Sequence, residues 1–315
     1  MNQNDISILV KTETDYAYDR LCKLILCIKG ILAEVLKECT EELRDIPKEE
    51  ILNYIHERYL DSNGENVLSG NTEDESIPGA KIVYDILFEV KIPGRESESI
   101  IINVEAQSTD QLPYDLVRRG IYYAARLIDR QKNSSEGFQN SDFNSLKKVY
   151  SIWICMNHTN EKNHIIKHYR ITEEEGVGYK NPKESYDLMD VVMLYVNKNY
   201  DYDEDDRSLD RLLHIVLGKH LTAQEKIEQL RKYYDILISE EEEKEVNEMC
   251  NLSLVLRMEA MQEGLAKGLA EGELKSTIQY VKNMMKKMPE MSIEEAMDIL
   301  GVEENLREQV VEALQ

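Results

Sequence analysis

Between residues 82 and 107 the chain leaves a hydrophobic spacing of three and four residues for an alternation of two, and this change of period decides the fold class. In Ile82–Ile92, the positions Ile82, Tyr84, Ile86, Phe88, Val90 and Ile92 alternate with Val83, Asp85, Leu87, Glu89 and Lys91, which is the repeat of a strand. The turn-prone run Pro93–Ser99 follows, and Ile100–Gln107 alternates again, so the two runs predict a hairpin. On both sides the spacing is helical. Residues 13–45 carry Leu21, Leu24, Ile25, Ile28, Leu32, Val35 and Leu36 on one stripe. A short helix is expected over Lys48–Tyr59 and a polar loop over Asp61–Gly79.

After the hairpin, Pro113–Gln131 predicts a helix with Leu116, Val117, Gly120, Ile121, Ala124, Ala125 and Ile128 on its apolar face. Arg119, Tyr123, Arg126 and Arg130 occupy the other side. Val149–Met156 and Val191–Val196 are apolar runs of the length of buried strands, with Trp153 expected in the core. The order describes an α/β domain, a mixed central sheet flanked by helices. From Leu209 onward no strand pattern recurs. Helices are predicted over Leu209–Gly218, Ala223–Ile238 and Glu240–Met288, then a unit Ser292–Leu314 with a Ser292/Glu295 capping box and a stop at Gly301. The chain thus divides into a domain over 1–205 and an all-helical, acidic extension over 206–315. In the long helix Gly264, Gly268 and Gly272 recur every four residues beside Leu265 and Leu269, a stripe that suits a homodimer through this C-terminal helix.

Charge narrows the function. With 38 Lys and Arg against 61 Asp and Glu, the net charge is −23, which excludes a protein held on nucleic acid by its overall charge. Residues 81–170 differ: 13 Lys and Arg face 11 Asp and Glu, a net of +2, leaving −25 for the remainder. The helix after Gln107 concentrates Arg118, Arg119, Arg126, Arg130 and Lys132, interleaved with Tyr122 and Tyr123. Arg pairs with phosphate through two hydrogen bonds, and Tyr stacks on bases. Five cysteines without metal-ligand spacing read as reduced thiols of a cytoplasmic protein. The apolar stretch Leu24–Leu36 is interrupted by Lys29 and Glu34 and is too short for a bilayer, so no membrane association is expected. His164 and His168 have no third ligand nearby, which argues against zinc.

The parity of the hairpin carries the chemistry. Asp85 opposes the apolar set of the first strand, while Asn103, Glu105 and Gln107 oppose that of the second. Two carboxylates brought together repel unless a cation joins them, and oxygen ligands suit Mg²⁺ or Mn²⁺. From the residues alone the plainer reading of Glu105 is an acid on a half-exposed strand, paired with Arg119 or Lys91.

The segments YDILFEVKIP (84–93), IINVEAQ (101–107), LVRRGIYYAARLI (116–128) and KKVYSIWICMN (147–157), flanked by NTED (71–74) and ESYDLMDVVML (184–194), resemble in order the Rpn recombination-promoting nucleases, also described as transposases. That family lies in the PD-(D/E)xK nuclease superfamily. The resemblance implies a restriction-endonuclease-like core and a metal held by Asp85, Glu105 and the backbone carbonyl of Ala106. It implies Gln107 at the last motif position, where the wider superfamily has Lys. Gln107 can hold a water but cannot take its proton. The implied reaction is hydrolysis of DNA phosphodiesters by an in-line water, in recombination or transposition. Arg118, Arg119, Tyr123, Arg126 and Arg130 would contact DNA. An additional acid from the first helix is a superfamily habit, and Glu34 is the candidate. The rival reading is a DNA-binding or assembly protein that keeps the fold without catalysis.

Overall fold

The first alternating run becomes two strands rather than one. The structure is a computed structural model and describes residues 17–56, 59–60, 72–74, 82–132, 134, 137–174, 176–197 and 202–314. Thr72–Asp74 (β1) pairs antiparallel with Ile82–Tyr84 (β2), and a bend at Asp85 separates β2 from Ile86–Ile92 (β3). β1 lies inside the expected loop 61–79, whose other residues fall outside the described ones. Pro93 and Gly94 turn the chain between Ile92 and Arg95, with Gly94 at φ 76°. Proline followed by a positive-φ glycine is the order a type II turn uses. The expected seven-residue turn is therefore two residues long, and the next strand, Arg95–Thr109 (β4), begins inside it.

With Val149–Asn157 (β5), Ile165–Arg170 (β6) and Met189–Tyr195 (β7), the sheet order is β3-β4-β5-β7-β6. β3/β4 and β6/β7 are antiparallel, and β4/β5 and β5/β7 parallel, so the sheet is mixed as its sequence predicts. β6 has no sequence signal because it is an edge strand. Ile165–Arg170 buries little of either face and so lacks alternation. His164 sits in the turn before β6 at φ 56° and His168 lies within the strand, so the two share no helical face. They bond different acids, His164 to Asp210 and His168 to Asp190.

The single helix expected over 13–45 is two helices among the described residues, 17–26 (α1) and Lys29–Cys39 (α2). Cys27 N–H bonds both Lys23 and Leu24 carbonyls, tightening the turn at the break. Thr40 ends α2 in extended conformation, its hydroxyl donating to Leu36 O at 2.7 Å. Just past α2, Glu41 N–H donates to the Tyr150 hydroxyl, which donates to Glu42. The short helix Lys48–Ile51 (α3) follows.

Leu116–Asp129 (α4) covers the other sheet face, packed on Leu87, Trp153, Val191 and Met193. Gly120 makes this possible: a Cβ there would lie 2.7 Å from Val191 Cγ1 and 2.8 Å from Met193 Cε. The buried stripe is Leu116, Gly120, Ala124, Arg126 and Leu127. Ile121 and Ala125 are exposed, so the helix is rotated from the apolar face expected for it. The close approach of backbone to sheet at Gly120 outweighs the wider apolar arc.

Leu209–Leu217 (α5) and Ala223–Tyr234 (α6) follow, with a capping box of Thr222 and Glu225 on α6. Buried Lys226 donates to Val216 O at 2.6 Å and Gly218 O at 2.7 Å, satisfying carbonyls at the end of α5. Tyr18 of α1 donates to Leu217 O at 3.1 Å, tying α5 to the core. Glu240–Lys287 (α7), Ile293–Leu300 (α8) and Glu304–Leu314 (α9) complete the chain. Its contacts divide it into two compact units, 1–253 and 254–315. The second has its own core of Val281, Ala296, Met297 and Val310. The expected Ser292/Glu295 capping box is present, and Gly301 ends α8 at φ 65°.

Candidate active site

The bend at Asp85 builds the site. Ile86 stands opposite Val104 in the β3/β4 ladder, so one step further Asp85 meets Glu105. There the ladder is replaced by side chains. Asp85 N–H donates to Glu105 Oε1 at 3.2 Å, and Ala106 N–H donates to Asp85 Oδ2 at 3.1 Å. Each acid closes the backbone of the other's strand, so the expected convergence of Asp85 and Glu105 is present.

Glu105 is 4% exposed, beside Trp153 of β5. Burial, then the neighbouring Asp85 charge, pushes its carboxyl up to about 8. The Asp85 N–H and the Arg119 charge pull the other way. Burial also raises Asp85, opposed by Lys23. Asn103, fully buried two residues before Glu105 on the same face, is near enough to favour the ionised acid, yet its carboxamide makes no hydrogen bond of good geometry. The cluster therefore holds a polar group whose bonding capacity is not spent.

Two residues that sequence reasoning did not select complete the cluster. Lys23 of α1 places Nζ 2.8 Å from Asp85 Oδ1 and 2.7 Å from Asp19 Oδ2. Asp19 is thus the first-helix acid near the site. Glu34 is not: it faces Lys48 at 3.5 Å, and Lys48 also donates to Tyr234 O. The only local signal is the i, i+4 spacing of Asp19 and Lys23, common on any helix.

Gln107 is half-buried, its Nε2 donating to Thr109 O at 3.0 Å. That bond engages the amide nitrogen and leaves the carboxamide oxygen to accept from another donor. Arg119 donates to the hydroxyls of Tyr114 at 3.1 Å and Tyr123 at 2.9 Å. Its guanidinium lies 5.0 Å from the Tyr123 ring centroid and 5.2 Å from that of Trp153. Tyr123 is itself wedged edge-on against Tyr84 and Trp153, so its ring orients Arg119 and is not open to stack on a base. Arg118, Tyr114 and Tyr122 are exposed on or beside α4, and Arg130 is half-buried. Arg126, expected among the DNA contacts, is 3% exposed: the rotation of α4 about Gly120 turns it inward, away from any surface duplex.

No three acids, histidines or cysteines form a ready-made metal cage among the described residues. Mg²⁺ does not need one, since it keeps several waters and is held by one or two carboxylates with substrate phosphate. Two adjacent acids, both raised by burial, beside a carboxamide with bonding capacity to spare, fit that demand. No helix among the described residues is long and apolar enough to cross a membrane. The family model described as PD-(D/E)XK nuclease family transposase matches residues 68–260. No curated protein and no solved structure matches the chain.

Proposed function

The chain belongs to the PD-(D/E)XK nuclease family transposases, and from that premise we propose that it is a metal-dependent endonuclease hydrolysing DNA phosphodiesters in recombination or transposition. The observation that carries the reading is the reciprocal closure of Asp85 and Glu105 at the strand bend. These two carboxylates, with the Ala106 carbonyl, would hold Mg²⁺ or Mn²⁺. Such an ion, when bound, supplies an acidified water and positive charge for the phosphoryl oxygens. Gln107 would orient the attacking water through its carboxamide oxygen, taking no proton itself. The functional division we propose places this chemistry in 1–205, with 206–315 as an appendage of which α5 and α6 are packed on the core. Supercoiled plasmid with Mg²⁺ tests the activity: the wild type is expected to nick it and Glu105→Ala to leave it intact. Equal nicking by both would favour contamination over catalysis, and no nicking by either would favour the non-catalytic DNA-binding reading.

DNA would lie along α4, on Arg118, Arg119 and Arg130, with Tyr123 holding Arg119 in place. Arg119 is the strongest of these because two tyrosine hydroxyls fix its guanidinium. Arg119→Ala is expected to flatten the slope of log affinity against log salt by about one phosphate contact. An unchanged slope assigns Arg119 to structure.

A homodimer would meet at α7. Leu254, Met258, Met261 and Leu265 are exposed there at successive spacings of 4, 3 and 4, the seam of a coiled coil. Gly264, Gly268 and Gly272 have nothing within 4 Å of the place a Cβ would take. An antiparallel register that sets Met261 against Leu265 also sets Met258 against Gly268 and Leu254 against Gly272. Large residues then cover glycines. Light scattering should give a dimer for the full chain and a monomer for Met261→Glu/Leu265→Glu. Two monomers at micromolar concentration would end the idea.

A further inference from the structure

We propose that Lys23 is the mobile cation of this site, serving the role for which Gln107 carries no charge. The inference rests on the nuclease reading above. Lys23 reaches the cluster from α1 and bonds Asp85 Oδ1 and Asp19 Oδ2 at 2.8 and 2.7 Å, with its side chain 20% exposed. Facing it are the acids Asp19 and Asp85, with Glu105 on the far side of Asp85, while the neighbouring cation Arg119 is held by Tyr114 and Tyr123. An ammonium is a compact charge with three donors on a flexible stem. Two of its donors are engaged by carboxylates here, and the third remains.

A divalent ion at the Asp85 carboxylate would draw on the same negative charge that Lys23 holds. Lys23 and such an ion therefore compete for Asp85. Asp19, one helical turn before Lys23, would keep the ammonium beside the site once it leaves Asp85. A scissile phosphate arriving there offers the replacement anion. Lys23 thus balances the paired acids in the ion-free protein and contacts phosphate in the loaded one. Its position on α1 couples the first helix to the chemistry of the β2/β3 bend.

The test uses full-length wild type, Lys23→Met, Lys23→Arg and Asp85→Asn. Mn²⁺ binding is measured by calorimetry without DNA, and cleavage of plasmid at saturating Mn²⁺. Lys23→Met is expected to bind Mn²⁺ about tenfold more tightly, because a charged hydrogen bond no longer has to be broken. It should also cleave about 100-fold more slowly, having lost a phosphate contact in the transition state. Tighter binding with slower cleavage is a split that a merely structural ion pair does not produce. Asp85→Asn should lose both. Wild-type binding or wild-type cleavage in Lys23→Met overturns the proposal while leaving the nuclease reading intact. Absence of Mn²⁺ binding by the wild type overturns both. Should Lys23→Met fail to fold, Lys23→Arg decides: a guanidinium fork on Asp85 should weaken Mn²⁺ binding, and unchanged binding counts against competition.

Discussion

Glu105→Gln is expected to make the protein more stable and to stop its cleavage in the same step. Glu105 is buried against Trp153 and beside Asp85, which raises its carboxyl to about 8. In the unfolded chain it titrates near 4.5. Below that value both states hold the proton and burial costs nothing electrostatically. As pH rises from about 4.5 to about 8, the unfolded chain releases the proton while the folded one retains it, so stability falls across this window and stays lowered above it. Gln keeps the shape and the oxygen that accepts from Asp85 N–H, without the charge. Chemical denaturation should therefore show little difference at pH 4 and the variant ahead by about 2–3 kcal/mol at pH 8, discounting the full shift for its sharing with Asp85. Mg²⁺ should raise the melting temperature of the wild type and not that of the variant. Cleavage should drop by about a thousandfold or more, the scale of losing a charge-stabilising group. A variant less stable than the wild type at pH 8 would show that Glu105 is a satisfied structural acid.

Gly120→Ala should destabilise the protein, against the ordinary preference of helices for Ala over Gly. The added methyl would lie 2.7 Å from Val191 Cγ1, 2.8 Å from Met193 Cε and 3.1 Å from Trp153 Nε1. All three atoms belong to the central strands, and Trp153 Nε1 is already bonded to Ser151 Oγ at 2.8 Å. Relief requires α4 to move off the sheet. Overpacking of this kind costs about 1–3 kcal/mol, more than the ~1 kcal/mol that Ala contributes in a helix interior. Gly268→Ala, made in the monomeric Met261→Glu/Leu265→Glu background, is the control: open space surrounds that position within the chain, so it should gain up to about 1 kcal/mol. Thermal melts of the two variants should move in opposite directions. A displaced α4 also carries Arg119 away from Glu105, so Gly120→Ala should lose DNA affinity where Gly268→Ala keeps it. Equal shifts would mean that the α4 contact yields at little cost.

The strand parity of residues 82–107 is enough to put Asp85 and Glu105 on one side of the sheet, because a period of two allows only two faces, but the short Pro93–Gly94 turn sets the register that makes them meet. Trp153 in the core and the capping box at Ser292 are equally legible, since both depend on neighbours within a few residues. Edge strand β6 is not, because an edge buries too little to impose alternation. The rotation of α4 that buries Arg126 and exposes Ile121 is also hidden from the sequence. Arginines and small apolar residues share the helix, and its packed side is chosen by where the sheet can accept the backbone of Gly120. Lys23 and Asp19 show the limit most clearly. Their spacing marks an ordinary helical pair, and their meaning comes from Asp85, far along the chain and 2.8 Å from Lys23 in space. Periodicity determines which way a side chain points within its own element. Which charges meet across elements is decided by packing, where burial makes an unpaired acid costly and draws the nearest cation to it.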